Sequence, residues 1–316
     1  MALLAGLMAL AACAPDGASG SPPAALPVPI QIERQAWSYP EGPLWIGSRV
    51  AVAEMGADRV TVLDVRQPDQ APVVWQFRFC GPTALAPYGD GFVVLCHLAG
   101  QLAVVDRNGI EVRRIGGEAG VSLRNPNDGA SDLQGGVYFS DPGDFYRPRQ
   151  PVGRVVWLDP QGRLHEVARG LSYPNGVYVV AEGGQRFAYV SEHFARRVLR
   201  YPILNDGTFG PMQVWATIPE QGSDARFSYD QAGPDGLERA TDGSWYVAIY
   251  GEGRVLRLTD AGTLVGQLNT PFQYVTNMAV GPNGEIVVVG PYIHDAAPFR
   301  GGVIVASPAD FAAHQP

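Results

Sequence analysis

The stretch that decides the fold is residues 124–146, RNPNDGASDLQGGVYFSDPGDFY. It opens on a polar turn, Asn127-Asp128-Gly129, and then reads as a short strand, a Gly-rich turn and a second strand rich in Val, Tyr and Phe. Such residues favour strands, and glycine favours the turn between them. The stretch therefore predicts an antiparallel hairpin with polar side chains at the start of its first strand.

The same arrangement recurs six times along the chain. Each copy begins with a polar residue, called a head residue below: Glu41, Thr83, Asn127, Asn175, Asp235 and Asn277. By subtraction, successive head residues are 42, 44, 48, 60 and 42 residues apart. Strand-rich repeats of this period are typical of a β-propeller, in which each repeat forms one blade.

The repeats predict an all-β fold, a six-bladed β-propeller, over residues 30–316. Its four-stranded antiparallel blades would surround a central metal-binding channel. The last repeat is short of strands, and residues 30–37 are predicted to complete its blade. An open β-sandwich with coincidental turns is the alternative.

The composition restricts the class of partner. The chain has 316 residues and a formal net charge of −8, with no cluster of Lys and Arg. Binding of nucleic acid requires cationic side chains that neutralise phosphates. We therefore expect no nucleic acid partner, and a small molecule or a cation instead.

The N-terminus differs from the rest of the chain. MALLAGLMALAACAP is apolar and contains Leu10-Ala11-Ala12-Cys13, which resembles a bacterial lipobox. An apolar stretch this short is typical of a signal segment rather than a membrane span. We predict a lipoprotein-type signal at residues 1–13, lipidation of Cys13 and a flexible tether at residues 14–29. The expected location is the periplasm or cell envelope, with a lipid anchor as the only membrane contact, and secretion is the alternative.

Two further cysteines, Cys80 and Cys96, remain for the propeller. An oxidising periplasm would permit a disulfide between them. In the predicted hairpin they are not directly opposed, so two buried free thiols are an equal alternative.

The head residues suggest a metal site. The first strand of each blade lines the channel, so the head residues point toward a common axis. Glu41, Asn127, Asn175 and Asp235 supply two carboxylates and two amide carbonyls, which are ligands that Ca²⁺ and Mg²⁺ prefer. Without a cation, the two carboxylates would repel each other in a confined channel. Asp128 is expected either to orient Asn127 or to cap the strand.

The ends of the second strands should lie beside the same site, because an antiparallel pair places them next to the start of the first strand. These ends are Glu54, His97, Asp141, Glu192-His193, Tyr250 and Tyr292-Ile293-His294. Two of them precede long aromatic loops, DPGDFYRPRQP with Tyr146 and HDAAPFRGG, which are typical of a substrate rim.

Four motifs, EGPLW, NPNDGA with GGVYFSDP, YPNGVYV and GPDGLE with DGSWYVA, resemble the gluconolactonase/senescence-marker-protein (regucalcin) family over roughly residues 36–290. That family is related to diisopropyl fluorophosphatase and consists of six-bladed propellers. The resemblance implies one catalytic divalent cation, Ca²⁺ first, with Mg²⁺, Mn²⁺ or Zn²⁺ as alternatives. It implies Glu41, Asn127, Asn175 and Asp235 as ligands, Asp235 as the group that activates water, and Asn125 as a substrate contact. Departures at Asn125, in the DPGDFY loop and in the last blade leave the sugar-lactone substrate open.

The leading hypothesis is a metal-dependent hydrolase that opens a lactone or related ester. The cation would polarise the carbonyl while Asp235 takes a proton from water. We predict that Asp128 and Tyr146 contact the substrate. We predict that His193 and His294 either contact the substrate or transfer protons. The alternatives are a phosphotriesterase or fluorophosphatase with the same ligands, and a non-catalytic, calcium-pinned propeller that binds a cell-envelope partner.

Overall fold

The computed structural model describes residues 30–32, 37–146, 150–221 and 226–314. The predicted signal segment, Cys13 and the tether lie outside the described residues. Within the described ranges, no helix is long and apolar enough to cross a membrane.

The described residues form 26 strands and three short 3-10 turns, at Met55–Ala57, Gly117–Ala119 and Pro308–Asp310. The strands, in chain order, are β1 (Ile30–Gln31), β2 (Trp37–Ser38), β3 (Pro40–Ile46), β4 (Arg49–Glu54), β5 (Arg59–Leu63), β6 (Val73–Gln76), β7 (Pro82–Tyr88), β8 (Gly91–Cys96), β9 (Gln101–Val105), β10 (Glu111–Ile115), β11 (Gly129–Ser131), β12 (Val137–Asp141), β13 (Gly153–Leu158), β14 (Leu164–Leu171), β15 (Pro174–Glu182), β16 (Gln185–Glu192), β17 (Arg197–Ile203), β18 (Gln213–Thr217), β19 (Gly233–Arg239), β20 (Trp245–Tyr250), β21 (Arg254–Leu258), β22 (Leu264–Asn269), β23 (Asn277–Val280), β24 (Ile286–Pro291), β25 (Arg300–Ala306) and β26 (Ala312–Ala313).

These strands form a six-bladed propeller, as the repeats predict. Each blade is an antiparallel sheet, and in the first five blades the strands follow one another in chain order, for example β3-β4-β5-β6. The first strands contact one another in a closed ring, β3 to β7, β11, β15, β19, β23 and back to β3. Each head residue therefore lies in or beside the innermost strand of its blade.

The N-terminal strands complete the sixth blade, as predicted for residues 30–37, of which residues 33–36 lie outside the described part of the chain. β1 pairs with β25 through Ile30 and Val305, and β2 pairs with β25 through Trp37 and Gly301. Both strands complete the sixth blade on the outside of β25. β26 adds a fifth strand to the fifth blade by pairing with β22.

The hydrophobic core consists of six clusters, and each cluster lies between two neighbouring blades. The cluster between blades 1 and 6, for instance, joins Val50 and Val52 of β4 to Val287 and Val289 of β24. A blade with neighbours on both faces buries both faces of its middle strands. The second strands accordingly read as nearly continuous apolar runs rather than as alternating patterns.

Cys80 and Cys96 form a disulfide, which settles the open alternative. Cys96 pairs with Pro82 in the ladder, so the two cysteines are indeed not opposed. The chain turns at Gly81, whose φ is 55°, and the Cα atoms of the two cysteines lie 4.3 Å apart.

Candidate active site

A cavity of about 490 Å³ lies at the end of the channel where the first strands begin. Its floor consists of five of the six head residues: Glu41, Thr83, Asn127, Asn175 and Asp235. Its wall consists of residues from the loops around them: Tyr39, Met55, His97, Leu98, Phe145, Tyr146, Tyr173, His193, Tyr250, His294, Asp295 and Phe299. The structure therefore brings together the four predicted metal ligands, although they are spread over nearly 200 residues of sequence.

The backbone of the first strands is irregular at the head residues. The ladder between first and second strand shifts register next to Glu41 and across Thr83, Asn175 and Asp235. Such bulges release a residue from the regular alternation and redirect its side chain. The glycine that follows Glu41 is required by close packing, since a Cβ atom at Gly42 would lie 2.3 Å from the carbonyl oxygen of Thr83 in the next blade.

In blades 1 and 4 the same tripeptide, Ser-Tyr-Pro, leads into the head residue. Ser38-Tyr39-Pro40 precedes Glu41, and Ser172-Tyr173-Pro174 precedes Asn175. Both tyrosines have a positive φ, 51° and 59°, a conformation that non-glycine residues adopt rarely and that is concentrated at functional sites. The left-handed turn brings each tyrosine ring into the cavity wall beside its head residue.

The strand-end carboxylates do not line the cavity, so the prediction that they would rim it was wrong for Glu54, Asp141 and Glu192. Each is fully or almost fully buried and paired with an arginine of the following strand. Each also accepts backbone N–H bonds from the loop that leads to a head residue. The donors are Ser38 for Glu54, Arg124 and Asn125 for Asp141, and Ser172 for Glu192.

These carboxylates thus anchor the loops before Glu41, Asn127 and Asn175 from behind the cavity. The prediction was confirmed for His97, His193, Tyr250 and His294, which all line the cavity, but not for Tyr292 and Ile293, which do not.

Electrostatically, the floor is an uncompensated acidic site. Burial raises the pKa of Glu41 well above its ordinary value, and repulsion from Asp128 adds to this shift. Burial likewise raises the pKa of Asp235 well above its ordinary value, followed by repulsion from Glu41 and Asp128. No Lys or Arg among the described residues lines the cavity. Buried carboxylates are normally paired with cationic side chains or bound to metal ions.

Asn127 is held from two sides. Its side chain interacts with the hydroxyl of Tyr173. Thr83 fixes the same residue from the other side, because its hydroxyl donates to the backbone oxygen of Asn127 at 2.7 Å.

The sequence family is decided by comparison with known proteins. The family model for the SMP-30/Gluconolactonase/LRE-like region matches residues 39–289. The chain belongs to the SMP-30/gluconolactonase/LRE-like family. Lactonase drp35 of Staphylococcus epidermidis is 28% identical over 197 residues, which are 60% of this chain and 57% of that lactonase. The chain thus matches little more than half the length of this curated relative.

Solved structures share the fold of this family member. A gluconolactonase from Xanthomonas campestris superposes with a TM-score of 0.69 and 20% identity, covering 89% of this chain and 89% of that protein. Regucalcin from Agrobacterium tumefaciens, a calcium-binding protein, superposes with a TM-score of 0.68 and 17% identity, covering 87% and 92%. At these identities the likeness concerns the fold.

In this gluconolactonase-family propeller, the donor set on the floor fits a hard, oxygen-preferring cation. Among the described residues, no three His, Cys, Asp or Glu side chains are arranged to hold a metal ion. A cation bound between Glu41 and Asp235 would therefore need the amide oxygens of Asn127 and Asn175 as well. Carboxylate and amide oxygens suit Ca²⁺ and its irregular geometry better than they suit zinc or copper.

Asp128 lies on the far side of the floor. It lines a second cavity of about 250 Å³, formed by residues that follow the head residues along the first strands, so it does not share the first cavity. Its carboxylate accepts the N–H groups of Gly129 and Val177 and bonds to the side chain of Asn277, the sixth head residue. Burial raises the pKa of Asp128 to about 7. Glu238 lines the same cavity, and burial raises its pKa to about 8.

Asn125 is half-buried and is not part of the cavity wall. Its side-chain amide donates to the carbonyl oxygen of His97 at 3.4 Å, and its backbone N–H donates to Asp141 at 2.7 Å. The structure thus places Asn125 behind the wall, and its contact with substrate stays a prediction.

Three predicted substrate contacts do belong to the wall. The hydroxyl of Tyr146 lies 3.4 Å from Nδ1 of His294. Both ring nitrogens of His193 contact backbone oxygens, Nδ1 that of Pro234 at 3.1 Å and Nε2 that of Gln231 at 2.8 Å. These two contacts fix the imidazole ring against the backbone next to Asp235.

Sequence reasoning predicted part of the aromatic wall, since Phe145 lies in the aromatic loop DPGDFYRPRQP and Tyr250 ends a second strand. Phe145 contacts Tyr173, His193 and Tyr250 with ring centroids 5.0, 5.6 and 6.0 Å apart, and Tyr39 hydrogen-bonds Tyr250 through their hydroxyls. Sequence reasoning missed Tyr39 and Tyr173. The Ser-Tyr-Pro tripeptide that precedes two head residues is a signal that could have identified both.

Proposed function

We propose that this protein is a hydrolase that opens lactone rings, and that it works with one divalent cation, Ca²⁺ first, held by Glu41, Asn127, Asn175 and Asp235. One observation carries the proposal. Two buried carboxylates, Glu41 and Asp235, lie on the floor of the cavity together with the amides of Asn127 and Asn175, and no Lys or Arg among the described residues lines that cavity. The names of the relatives add support, since lactonase drp35 and a gluconolactonase are among them, and since regucalcin is named a calcium-binding protein.

A cation at this position would polarise the lactone carbonyl and stabilise the negative charge that develops on its oxygen. The protein supplies the remaining chemistry. In the proposed reaction, a carboxylate oxygen of Asp235 takes a proton from water as the water oxygen bonds to the carbonyl carbon. The ring C–O bond then breaks, and the proton passes to the departing alkoxide. The product is a hydroxy acid.

The surrounding residues are proposed to orient Asp235 and the substrate. His193 holds the backbone carbonyl of Pro234, the residue directly before Asp235. Tyr146 and His294 lie at the opening of the cavity and would contact the part of the substrate that projects from the ring.

The test is hydrolysis of a panel of γ- and δ-lactones by the protein after treatment with EDTA. Calcium, magnesium, manganese or zinc is then added back separately. We expect EDTA to abolish turnover and one cation, calcium first, to restore it. Turnover unaffected by EDTA would contradict the metal part of the proposal, and no turnover of any lactone in the calcium-loaded protein would contradict the whole.

For the compartment, we propose an exported, lipid-anchored protein. The Cys80–Cys96 disulfide supports this, because disulfides persist in oxidising compartments. A Cys13→Ser variant should lose its membrane association and its incorporation of labelled fatty acid, whereas equal labelling of both forms would contradict the proposal.

A further inference from the structure

The wall of the cavity differs chemically from its floor. Whereas the floor carries carboxylates and amides, most of the wall is aromatic or aliphatic. The wall also contains polar atoms, namely the tyrosine hydroxyls and the histidine nitrogens. Whether they can bind a polar substrate depends on whether they are already engaged.

Hydrogen bonds within the protein engage most of these polar atoms. The hydroxyls of Tyr39 and Tyr250 bond to each other at 3.1 Å. Tyr146 bonds to His294, and the Tyr173 hydroxyl bonds to Asn127 on the floor. Both nitrogens of His193 are held by backbone carbonyls.

The wall therefore presents mainly ring faces and edges, although Nδ1 of His97 is buried without a hydrogen-bond partner among the described residues. A polyhydroxylated ligand would lose most of its bonds to water here without replacing them, and unreplaced hydrogen bonds are costly to a buried polar group.

The opening of the cavity is apolar as well. Leu98 and Tyr146 line the cavity and are 67% and 69% exposed. Exposed apolar side chains at the opening of a cavity indicate a surface that binds apolar groups.

Charge adds a further restriction. No Lys or Arg of the described residues lines the cavity, and its wall carries the acidic Asp295. A phosphorylated or carboxylated lactone would meet no cationic side chain there and would be repelled by Asp295.

We infer that the substrate is an uncharged lactone with an apolar substituent, an alkyl chain or an aryl group, which the aromatic wall and the apolar opening receive. This inference rests on the proposed lactonase function and specifies its substrate class. The volume of the cavity, about 490 Å³, is within the range of roughly 300–1,000 Å³ that is common for small-molecule sites.

The test uses three lactones with the same six-membered ring on the calcium-loaded protein: δ-valerolactone without a substituent, δ-decalactone with a five-carbon tail, and glucono-δ-lactone with polar substituents. We expect kcat/KM for δ-decalactone to exceed that for δ-valerolactone by about ten-fold or more, because burial of the tail contributes binding energy. Glucono-δ-lactone should be the slowest of the three.

A matched pair of variants locates the tail. Leu98→Ser should reduce the ratio of the δ-decalactone and δ-valerolactone kcat/KM values by about three- to ten-fold. Leu204→Ser, at a leucine that is 46% exposed and outside the cavity, should leave this ratio unchanged.

The outcomes distinguish the preference for an apolar substituent from the lactonase function itself. Hydrolysis of glucono-δ-lactone at the same or a higher kcat/KM than δ-decalactone would overturn the inference and leave the lactonase function intact. An unchanged ratio in Leu98→Ser would overturn the assignment of the tail to this opening. No turnover of any of the three lactones by folded, calcium-loaded protein would overturn the proposed function and the inference with it.

Discussion

A Cβ atom placed on Gly176 would lie 2.5 Å from the backbone carbonyl oxygen of Asp235. The glycine that follows the proposed ligand Asn175 in blade 4 thus packs directly against the proposed base in blade 5. The first strands approach so closely at this level that no side chain fits between them. The same packing explains why head residues are followed so often by glycine in the sequence.

We predict that Gly176→Ala destabilises the protein by about 1–3 kcal/mol, as overpacking of a dense core does, and weakens binding of calcium by displacing Asp235. Urea unfolding and calcium titration would measure the two effects. Gly117→Ala is the control, since its Cβ atom would have its nearest contact at 3.5 Å. Equal stability and calcium affinity in both variants would contradict the packing argument.

The buried ion pair behind blade 3 provides a second prediction. Asp141 is fully buried, bonds to Arg154, and accepts the N–H groups of Arg124 and Asn125. Asp141→Ala should cost about 3–5 kcal/mol, because it removes the buried partner of Arg154, which keeps only the partly exposed Glu166 at 3.3 Å, and releases the loop before Asn127.

Glu111→Ala removes an exposed ion pair with Arg114 and should cost at most about 1 kcal/mol. Denaturant unfolding of the two variants compares these costs directly. If both substitutions cost the same, Asp141 is not the anchor described above.

The disulfide provides a third prediction. It closes a loop of 16 residues, and loops of that size gain about 3 kcal/mol of stability from the crosslink. Urea unfolding with and without reductant should show a loss of this order in the wild type. The double variant Cys80→Ser/Cys96→Ser should be less stable and insensitive to reductant. A wild type that reductant leaves unchanged would show that the crosslink is not formed in solution.

The acidic channel predicts an unusual pH dependence in the metal-free protein. Burial raises the pKa of Glu238 from 4.5 to about 8, while the Tyr178 hydroxyl partly offsets this and Asp128 adds to it. The folded state therefore binds this proton more tightly than the unfolded chain does. Its contribution to stability is complete below about pH 4.5 and is lost as the pH rises toward 8, with a slope of at most about 1.4 kcal/mol per pH unit.

Urea unfolding in EDTA at pH 5, 6, 7 and 8 would measure this effect. Neighbouring carboxyls titrate in the same range, so the comparison is between the wild type and Glu238→Gln. The variant should lose less stability than the wild type between pH 5 and 8. Parallel curves would show that Glu238 does not titrate in this range.

The sequence predicts the fold and the floor of the site well, because both depend on a repeated pattern. Six polar residues ahead of six strands define six blades, and the propeller geometry alone brings Glu41 and Asp235 together. The wall depends instead on features that occur once or twice. Tyr39 and Tyr173 enter it through left-handed backbone conformations, which tyrosine adopts too rarely for the residue type to predict them.

The strand-end acids show a different limit of sequence reasoning. Glu54, Asp141 and Glu192 end second strands, as Tyr250 does and His97 nearly does, and position alone does not separate them. What separates them is a partner, an arginine at the start of the next strand, which draws the carboxylate behind the cavity. For Glu54 and Glu192 the arginine follows after a short turn, which could have been interpreted from the sequence as an ion pair, whereas a long loop separates Asp141 from Arg154.

The most direct test of the central claim is the rate of δ-valerolactone hydrolysis by Asp235→Asn and by wild type, both folded and saturated with calcium. If Asp235 takes the proton from water on the floor of a metal site, kcat should fall by about 10²–10⁴-fold while the protein unfolds at the same urea concentration as the wild type. An Asp235→Asn variant that retains the wild-type kcat would contradict the account.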